Sequence, residues 1–213
     1  ANPDCPELGR GDFSKVMKSR TRLNTALLGI ATGSVACEAA LKIMLMHHER
    51  TRKSGPAIFV VLDGNYHGTG FFSQNLRGMW KPFIRNMKVV AVQPNDGRQL
   101  EQVFARYGEQ ITGFWAEPIM MNREAILVET EYLQLARKLT RRVGALMTVD
   151  EIQTGFWTPE VFMYRQYGIT PDIVIVGKGM SAGLHPLSGI IYRRELDVMA
   201  QYDAISTNGN AAL

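Results

Sequence analysis

The residue with the most chemistry to offer in this 213-residue chain is Lys178. An apolar run, Ile173-Val174-Ile175-Val176, delivers it into Gly177-Lys178-Gly179, and flanking glycines let a backbone and a ligand approach closely. A lysine at the mouth of a desolvated site loses part of its preference for the charged form and becomes a nucleophile toward a carbonyl. The alternative is a surface lysine snorkelling out of a turn. Asp150 ends a second apolar run, Ala145-Leu146-Met147-Thr148-Val149, and leads into Glu151-Ile152-Gln153. A carboxylate buried there needs a cationic or hydrogen-bonding partner; a protonated heterocyclic nitrogen would serve, and so would the start of a helix that the acid caps.

Three further segments carry usable groups. Ala31-Thr32-Gly33-Ser34 opens a helical stretch. Its free N–H groups, at a positively polarised helix end, suit a phosphate, although a plain N-cap at Thr32 or Ser34 explains the same residues. Tyr66-His67-Gly68 offers an aromatic plate beside a glycine, or else a loop tyrosine half-buried for packing. Glu117-Pro118 follows the apolar run that ends at Ala116.

These residues share one kind of position, the end of an apolar run, and the runs define the architecture. Strands are predicted over 57–62, 88–92, 111–116, 145–149, 173–176 and 188–192, and helices over 32–53, 98–107 and 130–142. Strands alternating with helices imply an α/β, three-layer sandwich with a mainly parallel mixed sheet covered on both faces. In such sheets ligands collect at the carboxyl ends of the strands. Pro3, Pro6, Gly9 and Gly11 interrupt any periodicity near the start, so residues 1–31 are set apart as a partly irregular N-terminal segment and 32–213 as one domain.

Composition removes other classes. With 46% hydrophobic and 21% charged residues, the chain is neither disordered nor a low-complexity fibre. No apolar run approaches the roughly 18–20 residues of a membrane span, and the N-terminus lacks the apolar core of a signal peptide. A cytoplasmic protein without a membrane is expected. Cys5 and Cys37 form no C-x-x-C pair, so reduced thiols are expected, with Cys37 in the core. His47 and His48 are expected on the solvent side of the first predicted helix with no third ligand, hence no metal. The net charge of +4 is scattered, which argues against nucleic acid as a partner and leaves a small anionic ligand open.

Taken in order, Thr32-Gly33-Ser34 with Glu38-Ala39-Ala40-Leu41-Lys42, Tyr66-His67-Gly68, Glu117-Pro118, Asp150-Glu151-Ile152-Gln153-Thr154-Gly155-Phe156, Pro171-Asp172 and Gly177-Lys178-Gly179 resemble the class III (omega-type) aminotransferases. These are fold-type I pyridoxal-phosphate enzymes, and the likeness runs from Thr32 to the C-terminus. It implies the large domain of that fold, with the small-domain segments largely absent.

The resemblance also implies roles. Lys178 would form the internal aldimine with pyridoxal 5'-phosphate, and Asp150 would pair with the pyridine nitrogen and keep it protonated. Gly33 and Ser34 would bind the phosphate, Tyr66 and Ile152 would cover the two ring faces, and Gln153 would reach the ring oxygen. His67 belongs to the same cofactor-binding set, and Glu117 corresponds to a rim acid that several members pair with an arginine. Ser206 or Thr207 would bind the phosphate of the neighbouring subunit's cofactor, implying a homodimer with shared active sites. The implied reaction moves an amino group between an amine or amino acid and a keto acid or aldehyde. Alternatives are a decarboxylase or aminomutase of the same family, or a non-catalytic cofactor domain acting through a partner. Val35, Trp157, Thr158 and Ala211 depart from the family pattern.

Overall fold

The computed structural model of the chain describes residues 10–51, 55–79, 84–200 and 203. Seven strands form one sheet in the order β1-β9-β8-β7-β4-β2-β3: β1 (Thr25–Ile30), β2 (Ala57–Leu62), β3 (Met87–Val92), β4 (Ile111–Ala116), β7 (Leu146–Asp150), β8 (Ile173–Val176) and β9 (Ser188–Tyr192). Five consecutive strands, β8-β7-β4-β2-β3, pair in parallel, while β9 runs antiparallel to both β8 and β1. Each parallel step is bridged by a helix or long loop, among them α2 (Gly33–Arg50), α3 (Phe71–Asn75), α4 (Gly97–Tyr107) and α5 (Thr130–Val143). A two-stranded hairpin, β5 (Ile119–Met120) and β6 (Ile126–Leu127), sits between β4 and α5.

The period of two in the strands divides the core into the expected two layers. In β2, Ile58, Val60 and Leu62 face a cluster with Leu100 and Phe104 of α4 and Leu133, Ala136 and Leu139 of α5. Phe59 and Val61 face the other cluster, built on Ala36, Ala40, Leu41, Ile43 and Met44 of α2. Burial on both faces is why these strands read as unbroken apolar runs. Helix α2 crosses the middle of the sheet on small side chains, which lets its backbone approach β8 and β9 and sets its first turn at the sheet edge.

Residues 10–30, which the sequence sets apart, take part in the same sheet: α1 (Arg10–Thr21) packs on β1, and β1 pairs with β9. The helix has only weak amphipathicity: Met17 is the apolar side chain it buries, and Leu23 is buried just beyond its end. Its end is tied down from outside instead. Tyr164 Oη donates to the Thr21 carbonyl at 2.8 Å and Arg165 to that of Arg20 at 2.9 Å.

His48 also departs from expectation. It is 8% exposed, with Nε2 3.3 Å from the Gly55 carbonyl and Nδ1 2.9 Å from the Thr112 hydroxyl. Because the Gly55 carbonyl only accepts, Nε2 carries the proton there and Thr112 donates to Nδ1, its oxygen in turn accepting from Ile58 N at 3.1 Å. Helix rotation onto the sheet, which no local pattern records, turns this histidine inward. Among the described residues no helix is long and apolar enough to cross a membrane.

Asp172 ties four elements together. It is 2% exposed and accepts from Arg137 of α5 at 2.7 and 3.0 Å, from Arg193 beyond β9 at 3.0 Å, and from Met147 N of β7 at 2.7 Å. Removing one partner of such a pair leaves a buried charge unmatched. Asp172→Ala is expected to lower the unfolding free energy by about 3–5 kcal/mol in urea titration; a loss under about 1 kcal/mol would mean that Arg137 finds water at no cost.

Candidate active site

The carboxyl ends of the parallel strands converge on a cavity of about 230 Å³. Of the residues singled out in the sequence, Gly33, Ser34, Tyr66, Glu117, Asp150, Ile152, Gln153 and Lys178 line it. They arrive from the first turn of α2 and from the segments after β2, β4, β7 and β8. The order of strands reverses at β2, with β3 on one side and β4 on the other, and such switch points open a crevice for ligands. Ser206 and Thr207 lie outside the described residues.

Lys178 begins a short turn, 178–181, in the left-handed region at φ +41°. A non-glycine residue there costs about 1–3 kcal/mol, which the surrounding structure has to override. Its exposed ammonium donates to Gln153 Oε1 across the cavity mouth. Two hydrogen bonds brace the turn, Met180 N to Gly177 O at 3.0 Å and Ala182 N to Gly179 O at 3.1 Å.

Asp150 is the last residue of β7 and is 3% exposed. Ile152 N donates to its Oδ1 at 3.0 Å; His67 Nδ1 lies 2.8 Å from Oδ2 and the Cys37 thiol 3.7 Å from the same oxygen. His67 is 1% exposed and does not line the cavity. It stands behind Asp150, its ring 5.1 Å from that of Trp115. Burial, and then the charge of Asp150, push the Cys37 thiol well above its ordinary range, so it stays protonated and donates.

The first turn of α2 closes the opposite side. Thr32 caps the helix, its Oγ1 accepting from Val35 N at 3.4 Å and its carbonyl from Ala36 N at 3.0 Å, which leaves the N–H groups of Gly33 and Ser34 outside the helical ladder. Close approach explains the glycines. A Cβ on Gly33 would lie 2.7 Å from Ile152 Cδ1, and one on Gly68, at φ +86°, would lie 2.4 Å from Ser34 Oγ. Ser34 Oγ accepts from Thr69 N at 3.1 Å, which joins the α2 turn to the segment after β2.

Two acids are buried here with no ion pair among the described residues. Glu117 accepts from Tyr66 N at 2.9 Å; burial, against the opposing pull of His67, raises its carboxyl to about 7. Glu151 accepts from the Thr154 hydroxyl and from Tyr164 N, and burial lifts it to about 7 as well. Glu151 lies behind the cavity wall rather than in it.

Met121 and Asn122 also line the cavity, and the sequence reading did not single them out. They sit on the turn joining β5 to β6, which Arg123 holds down by donating to Asp63 Oδ2 at 2.9 Å and Gln93 Oε1 at 3.0 Å. Two-residue strands carry no alternation to detect. The polar Asn122-Arg123-Glu124 after Pro118 is the one local signal of a turn.

The model of the class III aminotransferases matches residues 12–210, and the chain belongs to that family. It is 29% identical over 185 residues to the ornithine aminotransferase of Emericella nidulans, covering 80% of this chain and 41% of that protein. It is 28% identical over 190 residues to the glutamate-1-semialdehyde 2,1-aminomutase of Delftia acidovorans, covering 87% and 41%. Among solved structures, the ornithine aminotransferase of Toxoplasma gondii, which has partial occupancy of pyridoxal phosphate at its active site, superposes with a TM-score of 0.76 at 26% identity, over 96% of this chain and 50% of that one. The fold is that of the fold-type I pyridoxal-phosphate enzymes. The chain spans about two-fifths of the length of the curated relatives it matches.

Glu117 makes the stability of the chain depend on pH. Its folded-state value of about 7 exceeds the ordinary 4.5, so the folded state binds the proton more tightly. That contribution is complete below pH 4.5 and is lost as pH rises through 7. In the cofactor-free protein, wild type should lose up to about 3 kcal/mol relative to Glu117→Gln across that interval. Parallel melting temperatures for the two proteins would refute the assignment.

Proposed function

We propose that this chain is the cofactor-binding part of an aminotransferase that uses pyridoxal 5'-phosphate to move an amino group between an amine or amino acid and a keto acid or aldehyde. The observation that carries the reading is that the amine of Lys178 and the carboxylate of Asp150, from the ends of neighbouring strands β8 and β7, open on one cavity beside a free helix N-terminus.

The donor set suits the cofactor. A carboxylate has about four acceptor positions, and Ile152 N, His67 Nδ1 and Cys37 Sγ use three of Asp150's. One remains, on Oδ1, for the N–H of a pyridinium ring. The N–H groups of Gly33 and Ser34, at the positive end of an 18-residue helix, suit a phosphate. Tyr66 and Ile152 are the ring-covering residues, Gln153 the partner of the ring oxygen, Glu117 the acid of the rim, and Lys178 Nζ the group that holds the aldehyde carbon.

Bound there, pyridoxal phosphate supplies an electron sink for charge developing at the substrate carbon. The chain's own contribution is arrangement and proton transfer. Asp150 would meet the ring nitrogen with its own donors already in place, which is stabilisation without reorganisation. Lys178 Nζ takes a proton from substrate and returns it, first as general base and then as general acid.

A homodimer with shared active sites and a cytoplasmic setting belong to the same proposal. Phe71, Phe72 and Met79, between β2 and β3, are 41–50% exposed, and Leu184 near the site is 84% exposed, surfaces that a second copy would cover. A second reaction, intramolecular amino transfer, is favoured by the likeness to an aminomutase. It differs in needing no keto acid.

Lys178→Ala should abolish the visible absorbance that pyridoxal phosphate acquires on the protein, while leaving the circular dichroism spectrum unchanged. Amino transfer from a panel of amines to a keto acid should fall to background. Retention of the absorbance band would remove Lys178 from its role; turnover without added keto acid would favour the aminomutase reading.

A further inference from the structure

Oδ2 of Asp150 is held by two side chains from different layers of the fold. His67 reaches it from the segment after β2 and Cys37 from the second turn of α2. Cys37 is fully buried, and among the buried residues in the first three turns of α2 it is the one with a side-chain donor; Ala36, Ala40 and Ile43 pack as hydrocarbon. Packing alone asks only for a small side chain at this position. The thiol, by contrast, completes a count. With His67 it fills both acceptor positions of Oδ2, so the carboxyl group cannot rotate without abandoning two donors, and the open acceptor position stays on Oδ1.

We infer that Cys37 is a positioning residue: its thiol, together with His67, fixes the Asp150 carboxylate so that Oδ1 presents its free acceptor position to the ring nitrogen of the cofactor. The inference rests on the proposed pairing of Asp150 with that nitrogen. It assigns to the helix whose N-terminus faces the phosphate a second task, reaching the far side of the ring through Asp150. Cys37 touches neither cofactor nor substrate, as its absence from the cavity wall requires. The chemistry of its neighbourhood follows: the thiol is a hydrogen-bond donor here rather than a nucleophile, because burial and the adjacent carboxylate keep it protonated.

The test compares two ligands that differ only at the ring nitrogen, pyridoxal phosphate and its 1-deaza analogue, in which a C–H replaces that atom. Dissociation constants are measured by fluorescence on the full chain. Cys37→Ala, and Cys37→Val as an apolar filler of similar volume, should weaken pyridoxal phosphate about fivefold, the worth of one net hydrogen bond, and leave the deaza analogue within about twofold. Cys37→Ser, which keeps a donor, should bind both as wild type does.

Should the alanine variant fail to fold by circular dichroism, the valine variant carries the comparison. Equal losses for both ligands would make Cys37 a packing residue and overturn the inference, as would no loss for either. Wild type that binds the two ligands equally would overturn the Asp150 pairing itself, a result visible before any variant is made.

Discussion

A carboxylate taken out of water at the end of a sheet strand must be given donors before it can be given a task. The site depends on how this is done for Asp150. Ile152 donates from the turn directly after β7, His67 from the loop after β2, and Cys37 from α2 on the opposite layer. Each donor is carried by an element whose place is already determined by the core. The hydrogen bonds therefore cost little ordering of their own, and the same packing that buries β7 on both faces holds the carboxylate in place.

Much of the rest follows from how closely α2 can lie on the sheet. Small residues on its inner face bring the helix down onto β8 and β9. This brings Gly33 against Ile152 and Ser34 against Gly68, where a methyl group would meet the Ser34 backbone. A helix terminus so placed presents N–H groups that its own ladder does not use. Opposite it stands Lys178, in a backbone conformation that lysine rarely adopts. Strain of this kind persists only when neighbours over-determine it, and the braced turn on the end of β8 supplies that.

The same burial has a cost, seen in Glu117 and Glu151. Both are removed from water with hydrogen-bond donors but with no ion pair among the described residues, and burial raises both to about 7. Asp172 is the contrast, since two arginines meet it in the region away from the cavity. Charge is neutralised where the fold must be tied together and left incompletely compensated where a charged ligand is to be held.

What local pattern could determine, it did. The apolar runs over 57–62, 111–116, 173–176 and 188–192 coincide with β2, β4, β8 and β9, because a strand buried on two faces needs uninterrupted hydrophobicity. Tyr66, Glu117 and Lys178, which follow the first three of those runs, line the cavity, whereas Arg193 after β9, an antiparallel strand, meets Asp172 away from it. Only the tertiary structure decided that the polar α1 is a helix and β1 an edge strand, since their support comes from Tyr164, Arg165 and β9, more than a hundred residues away. It alone turned His48 inward onto Thr112 and set His67 and Cys37 behind Asp150. A sequence records which groups each element carries; which of them meet is settled by rotation and approach of whole helices on a sheet, and those depend on contacts between residues distant along the chain.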